Sequence, residues 1–251
     1  MIERSHVVIV PVAPLRAGAD DRAELVSELL AGEPVVLEEE GSGPWVAVQT
    51  VRDGYRGWCD RKQLAAGAFT DGVRCFEPFA PWVRTSDGAT LYLPWGATVH
   101  RQPEGTYTLG TSMLKRVNPE ADRPACPAAL AATWRGVPYR WGGKTHFGVD
   151  CSGLVQQVFA ALRIALPRDA ADQIHCGTSI PTELRQKGDL AFFTNRDGKV
   201  IHVGICTGPD ALLHASGEVR EDPLDVQGIR HAVTGERTHT LCGIRRISYA
   251  V

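Results

Sequence analysis

Short apolar runs punctuated by turn residues dominate the first half of the chain. HVVIVPV (6–12), GEPVVLEEEG (32–41), PWVAVQT (44–50) and GYRGWC (54–59) are each bounded by glycine, proline or charged residues. That rhythm predicts brief strands of a small all-β barrel over residues 1–66, with Glu38, Glu39 and Glu40 forming a solvated strand end. Residues 67–118 repeat the texture, with Ser86-Asp87-Gly88 as a hairpin turn, and predict a second small barrel.

The pattern changes at NPEADRPACPAAL (118–130), where three prolines and a shift toward alanine mark a linker running into a helix over about 125–135. The next periodic stretch is CSGLVQQVFAALRI (151–164). Leu154, Val155, Val158, Phe159 and Leu162 share one helical face, and Asp150 stands where an N-cap belongs. GDLAFFT (188–194), KVIHVGICTG (199–208), ALLHAS (211–216) and LCGIRRISYA (241–250) then read as consecutive antiparallel strands. Residues 119–251 are therefore expected to form an α+β domain, helices first and a meander sheet after.

Composition narrows the function classes. The 251 residues are 43% hydrophobic and 22% charged, and 27 Lys plus Arg against 29 Asp plus Glu give a net charge of -2. No basic field is available for nucleic acid. The apolar run Val7–Val12 is too short for a secretory signal and is interrupted by Pro11, and no stretch approaches the length of a membrane span. The expectation is a soluble, cytoplasmic protein without a nucleic-acid or membrane partner; oligomeric state stays open. Seven cysteines (59, 75, 126, 151, 176, 206 and 242) include no C-x-x-C pair, so reduced thiols are expected, with Cys206 and Cys242 as small core residues.

Cys151 is the exception among them. It follows the N-cap of a helix, where free backbone N–H groups and the helix dipole favour thiolate, and its neighbours Asp150, Ser152 and Gly153 are small or polar. His202 lies in the strand VIHVGI, and His214 lies on the next strand after a turn, so a hairpin can set the two imidazoles side by side. The set suggests nucleophilic attack by Cys151, proton exchange through His202 and orientation of His202 by His214. Zinc ligation by the same three residues is the alternative, disfavoured because no two form a short chelating pair. No metal or cofactor is expected. His146, His175, His231 and His239 read as surface residues, and His6 and His100 as barrel residues.

YRWGG (139–143), DCSG (150–153), LPRDAADQ (166–173), GDLAFF (188–193), HVGI (202–205) and LLHAS (212–216) occur in one order that resembles the catalytic domain of the NlpC/p60 cell-wall cysteine peptidases. The resemblance implies a papain-like fold in circularly rearranged form and a Cys-His-His triad of Cys151, His202 and His214. It also implies that the Tyr139 hydroxyl helps hold the oxyanion, against core packing as the bland role, while Trp141 either walls the substrate pocket or fills the core.

The N-terminal barrels resemble the bacterial SH3-like domains of one branch of that family, enzymes cutting γ-D-glutamyl-L-diamino acid bonds in murein peptides. Within GYRGW, Tyr55 matches a tyrosine that reaches the active site in that branch, which would make the first barrel a lid. Such enzymes require the free amine of an N-terminal L-Ala, and Asp150, Ser152 and Asp169 are candidates to receive it, although Asp150 and Asp169 also suit plain helix starts. Glu24 or Glu28 from the first barrel is a further candidate. The resemblance therefore implies release of L-Ala-γ-D-Glu from small murein peptides during recycling. A wall-binding module, or an amidase or acyltransferase using the same thiol, are the rival readings.

Overall fold

A computed structural model describes residues 5–67, 72–118 and 126–249, so most of the expected linker, residues 119–125, lies outside the described residues. The chain divides into two compact units, Met1–Asp122 and Arg123–Val251.

The first unit is all β. Its first sheet holds β1 (Ser5–Val8), β2 (Val12–Arg16), β3 (Leu25–Leu30), β4 (Pro34–Glu40), β5 (Trp45–Thr50), β6 (Arg56–Asp60) and β7 (Leu64–Ala66), in the order β3-β2-β6-β5-β4-β1-β7. Alternating side chains from these strands (Ala13, Leu15, Val35, Val46, Val48) fill one core. Two details differ from the pattern-based expectation. HVVIVPV makes two strands, because Pro11 has no N–H to continue a ladder and the chain turns there. ELVSELL also contributes β3, which its weak alternation did not announce.

A second sheet comprises β8 (Val73–Arg74), β9 (Ala80–Arg84), β10 (Thr90–Leu93), β11 (Thr98–Arg101), β12 (Tyr107–Leu109) and β13 (Ser112–Arg116). The Ser86-Asp87-Gly88 turn joins β9 to β10, with Gly88 at φ 71° and the Asp87 carboxylate accepting from Ala89 N–H. Ala31, from the turn after β3, belongs to the core of this second sheet, and its carbonyl accepts from Thr98 N–H at 2.8 Å.

The second unit opens with α1 (Pro127–Ala132), shorter than the expected helix. Pro127 starts it, and the Thr133 hydroxyl bonds back to the Leu130 carbonyl at 2.7 Å where it ends. A small hairpin, β14 (Lys144–Thr145) and β15 (Gly148–Val149), leads into α2 (Cys151–Ala161), and α3 (Ala170–Gln173) follows. The remaining strands are β16 (Thr178–Ile180), β17 (Leu190–Thr194), β18 (Val200–Gly208), β19 (Ala211–Ser216), β20 (Glu218–Pro223), β21 (Gly228–Arg230) and β22 (Arg237–Arg246). They form an antiparallel sheet in the order β16-β22-β17-β18-β19-β20, with β21 paired to β22. The last strand begins and ends earlier than LCGIRRISYA suggested.

Helix α2 is not the amphipathic surface helix that its periodicity implied. All eleven of its residues are buried, Leu154, Val155, Val158 and Phe159 completely. It packs on β18 and β19. Each of those four side chains contributes roughly 1.5–3 kcal/mol by burial. Cys206 is buried in the sheet core as expected, whereas Cys242 is exposed, because β22 turns that position outward. Among the described residues no helix is long and apolar enough to cross a membrane.

Candidate active site

The site is built where the N-terminus of α2 meets β18. Asp150 caps the helix, its Oδ1 accepting from Gly153 N–H at 2.7 Å, while Oδ2 accepts from Gly142 N–H at 2.9 Å. In return Asp150 N–H donates to the Gly143 carbonyl at 3.2 Å, which ties the YRWGG loop to the start of the helix. Gly153 is required by this contact: a Cβ there would lie 2.3 Å from the Gly143 oxygen.

Arg168 completes the cap. Its Nη1 donates to Asp150 Oδ1 at 3.0 Å and to Ser152 Oγ at 2.9 Å, and its Nη2 donates to Asp150 Oδ2 at 2.5 Å. Both partners are buried. A bidentate guanidinium is what a buried carboxylate needs to stay charged. Ser152 Oγ also donates to Asp150 Oδ1 at 3.3 Å, and the Ser152 carbonyl accepts from Gln173. Asp150 and Ser152 are thus engaged within the helix start. Asp169, half-buried at the start of α3, does not cap that helix with its side chain.

The Cys151 thiol is 6% exposed. Burial pushes its pKa up to about 12, the Asp150 charge adds to the rise, and hydrogen bonds from the Val203 and Ser152 backbone N–H groups with the Arg168 charge work in the opposite direction. The low thiol pKa expected from the helix terminus is therefore corrected: desolvation outweighs the dipole. The Val203 contact sets the sulfur against the strand segment that carries His202. That N–H is open because the β18–β19 ladder, which pairs Ile205 with Leu213, does not extend to Val203.

His202 Nε2 lies 2.7 Å from His214 Nδ1. Gly204, two residues on from His202, permits this approach, since a Cβ there would sit 2.9 Å from the His214 Cβ. His214 Nε2 lies 3.0 Å from Asp222 Oδ2 on β20. Burial, with the neighbouring charges of His214 and His239, holds His202 well below the usual histidine range. With its Nε2 engaged by His214, the ring nitrogen of His202 left over is Nδ1. The two imidazoles point nitrogens at each other, and among the described residues no cluster of three His, Cys, Asp or Glu is arranged as a metal site.

Three groups that the sequence pattern did not mark complete the picture: Arg168, Asp222 and His239. His239 on β22 stacks on the His202 ring at 4.3 Å with an interplanar angle of 24°. Burial lowers its pKa to about 4. His239 is half-buried, whereas His146 is buried, stacked on Trp134 at 3.7 Å, with burial lowering its pKa to about 4. The surface assignment of His146 is overturned, and that of His239 holds only in part; each sits among polar residues in sequence but against an aromatic ring in space. His175 is exposed as expected.

Tyr139 is half-buried beside the thiol. Burial raises its pKa to about 12, with the charges of Cys151 and Asp150 adding to the rise, so its hydroxyl remains a donor at neutral pH. Its backbone is held by Gly217 and by a bridge to Val149. Trp141 is 60% exposed, which removes the core-filling alternative. In the first unit, Tyr55 follows Gly54 (φ 71°) and packs partly on the barrel core. Glu28 is buried on β3 and Glu24 is exposed.

Comparison with known proteins agrees with this geometry. Residues 136–238 match the NlpC/P60 family model, and residues 15–64 match that of the bacterial dipeptidyl-peptidase SH3 domain. The chain is 30% identical over 214 residues to the gamma-D-glutamyl-L-lysine dipeptidyl-peptidase of Bacillus subtilis (strain 168), covering 75% of this chain and 71% of that protein. It is 30% identical over 258 residues to dipeptidyl-peptidase 6 of Lysinibacillus sphaericus, covering 88% and 92%. A crystal structure of an NlpC/P60 family protein from Bacillus cereus shares the fold, with a TM-score of 0.79 at 21% identity over 96% of this chain and 99% of that one. A thiol at a helix start, a hydrogen-bonded histidine pair behind it and these matches make the chain a member of the NlpC/P60 family of cysteine peptidases, with an SH3-like all-β region ahead of the catalytic domain.

Proposed function

We propose that this peptidase hydrolyses the γ-D-glutamyl to L-diamino acid bond (meso-diaminopimelate or lysine) of small murein peptides that carry a free N-terminal L-Ala, releasing L-Ala-γ-D-Glu. The observation that carries the substrate class is the extent of similarity to a gamma-D-glutamyl-L-lysine dipeptidyl-peptidase, 75% of this chain and so more than the catalytic domain alone. Recycling of released peptides in the cytoplasm suits seven unbridged thiols.

The Cys151 Sγ–H proton passes to His202 Nδ1 as sulfur bonds the scissile carbonyl carbon, and the oxyanion takes hydrogen bonds from the Tyr139 hydroxyl and the backbone N–H groups at the start of α2. Collapse breaks the C–N bond, and His202 Nδ1–H supplies the proton to the leaving amine. Water then attacks the thioester, giving its proton to His202, and the thiol is regenerated. For the substrate ammonium we favour Asp169 over Asp150, whose oxygens already serve Arg168 and two backbone N–H groups.

Mass spectrometry of products from L-Ala-γ-D-Glu-diamino-acid tripeptide beside its N-acetylated form tests this. Cleavage of the free tripeptide alone is expected, and its loss in Cys151→Ala with the fold retained. Equal cleavage of both peptides removes the amine requirement, and an active Cys151→Ala protein removes the thiol mechanism.

A further inference from the structure

We propose that Asp222 is a positioning residue that sets the tautomers of both catalytic histidines and thereby makes His202 Nδ1 the base. This rests on the reading of Cys151 and His202 as nucleophile and base.

Asp222 lies on β20 and is 1% exposed. Its Oδ1 accepts from Ala232 N–H at 2.9 Å, and its Oδ2 accepts from Arg220 Nε at 2.9 Å. The register pairs Leu212 with Asp222 and His214 with Arg220, which brings β20 alongside the histidine strand. The carboxylate is consequently held at both oxygens by groups other than the imidazole; burial pushes its pKa up, but the hydrogen bonds from His214 and Ala232 N–H and the charges of His214 and Arg220 more than offset this and hold it well below the usual carboxylate range.

An ionised carboxylate only accepts hydrogen bonds. His214 Nε2, 3.0 Å from Asp222 Oδ2, must therefore carry a proton. A neutral His214 then has its lone pair on Nδ1, the atom 2.7 Å from His202 Nε2, so His202 must donate from Nε2. That leaves the lone pair of neutral His202 on Nδ1, the only ring nitrogen still available to the Cys151 proton. His214 is completely buried and His202 is 5% exposed, so no bulk water competes to reverse either choice. Once His202 takes the thiol proton, its Nε2–H still donates to His214, and the charge it gains is held two hydrogen bonds from Asp222. The proton stays on His202, because Arg220 and Ala232 N–H both favour the ionised carboxylate.

Without Asp222, nothing in that chain prefers one tautomer of His214 over the other. In the reversed arrangement His214 donates from Nδ1, His202 carries its proton on Nδ1, and the base faces the thiol with a hydrogen in place of a lone pair. The effect is expected in proton transfer, since the hydrogen-bonded path from Asp222 toward the thiol runs through His214 and His202.

Asp222→Leu, which offers no acceptor in any orientation, is expected to lower kcat by about 10²–10³-fold with KM changed by less than about threefold. Ring ¹⁵N NMR of the same variant at neutral pH is expected to show His214 as a mixture of tautomers. Should that variant fail to fold, the wild-type spectrum alone decides: both His202 and His214 must be in the Nε2–H form, and finding His214 as Nδ1–H overturns the proposal. A folded Asp222→Leu protein with kcat within about threefold of wild type overturns it as well. If the tautomers are as described but Cys151→Ala still cleaves, it is the thiol mechanism that falls instead.

Discussion

Arg168 carries a stability prediction that follows from where its charge lies. Replacing it by methionine keeps most of the buried volume but removes three hydrogen bonds, two to Asp150 and one to Ser152. Asp150 would then be a buried carboxylate whose remaining donors are the Gly142 and Gly153 N–H groups and Ser152 Oγ. Removing one partner of a buried ion pair costs about 3–5 kcal/mol, and the retained backbone donors place this case near ~3 kcal/mol. For a unit of this size that is a fall of about 10 °C in Tm. Pairing the change with Asp150→Asn separates the ion pair from simple packing, because asparagine still caps a helix without a buried charge. The double variant is expected to be more stable than Arg168→Met alone, with a coupling of at least ~2 kcal/mol in a calorimetric double-mutant cycle. If Arg168→Met lies within about 0.5 kcal/mol of wild type, or the two changes simply add, the buried pair is not what holds the start of α2.

Two further outcomes are expected. Gly204→Ala brings a Cβ to 2.9 Å from the His214 Cβ and 2.8 Å from Leu212 Cδ2, which must push β19 from β18; loss of kcat together with weakened amide protection of His214 is expected in hydrogen exchange, and an active, fully protected variant would contradict the contact. The catalytic unit should also lose stability on mild acidification. Buried His146, held down to about 4, stays neutral in the folded state while the unfolded chain binds a proton below about 6.5, so stability falls as pH drops from ~6.5 to ~4, by on the order of 3 kcal/mol. His239 acts in the same window and the same direction. A urea midpoint independent of pH across that window, or one whose slope survives His146→Phe, would show that these rings are not buried neutral.

The placement of Cys151 at a helix start and of His202 beside His214 is legible in sequence because each is tied to a local pattern: an N-cap before an apolar helix, and two histidines at hairpin spacing. Asp222 and Arg168 are legible only in space. Asp222 meets His214 across a strand pairing, and Arg168 reaches back from the loop before α3 to the helix start. Neither lies in a periodicity that marks a polar residue as buried. His239 is hidden by a register shift between Phe192 and Phe193 against β22, so simple alternation along that strand does not place its ring on His202. Tyr139 and Trp141 were legible as a motif, but their opposite exposures were not, because the loop that carries them is positioned by the Asp150 hydrogen bonds.

The same cap explains why a cysteine at a helix N-terminus is not a ready thiolate here. The unpaired N–H groups and the positive end of the dipole are the features that favour thiolate at such a position. In this chain the Asp150 carboxylate takes one of them, the Gly153 N–H, while burial raises the thiol pKa and the Asp150 charge adds to the rise. Arg168 offsets part of that charge without exceeding the cost of desolvation. Burial thus pushes the Cys151 thiol and the His202 imidazole both toward their neutral forms, and in the proposed mechanism the proton moves as sulfur attacks. In that mechanism the thiol depends on a correctly protonated His202 far more than a preformed thiolate would, which is why the proposed relay ending at Asp222 is expected to govern kcat.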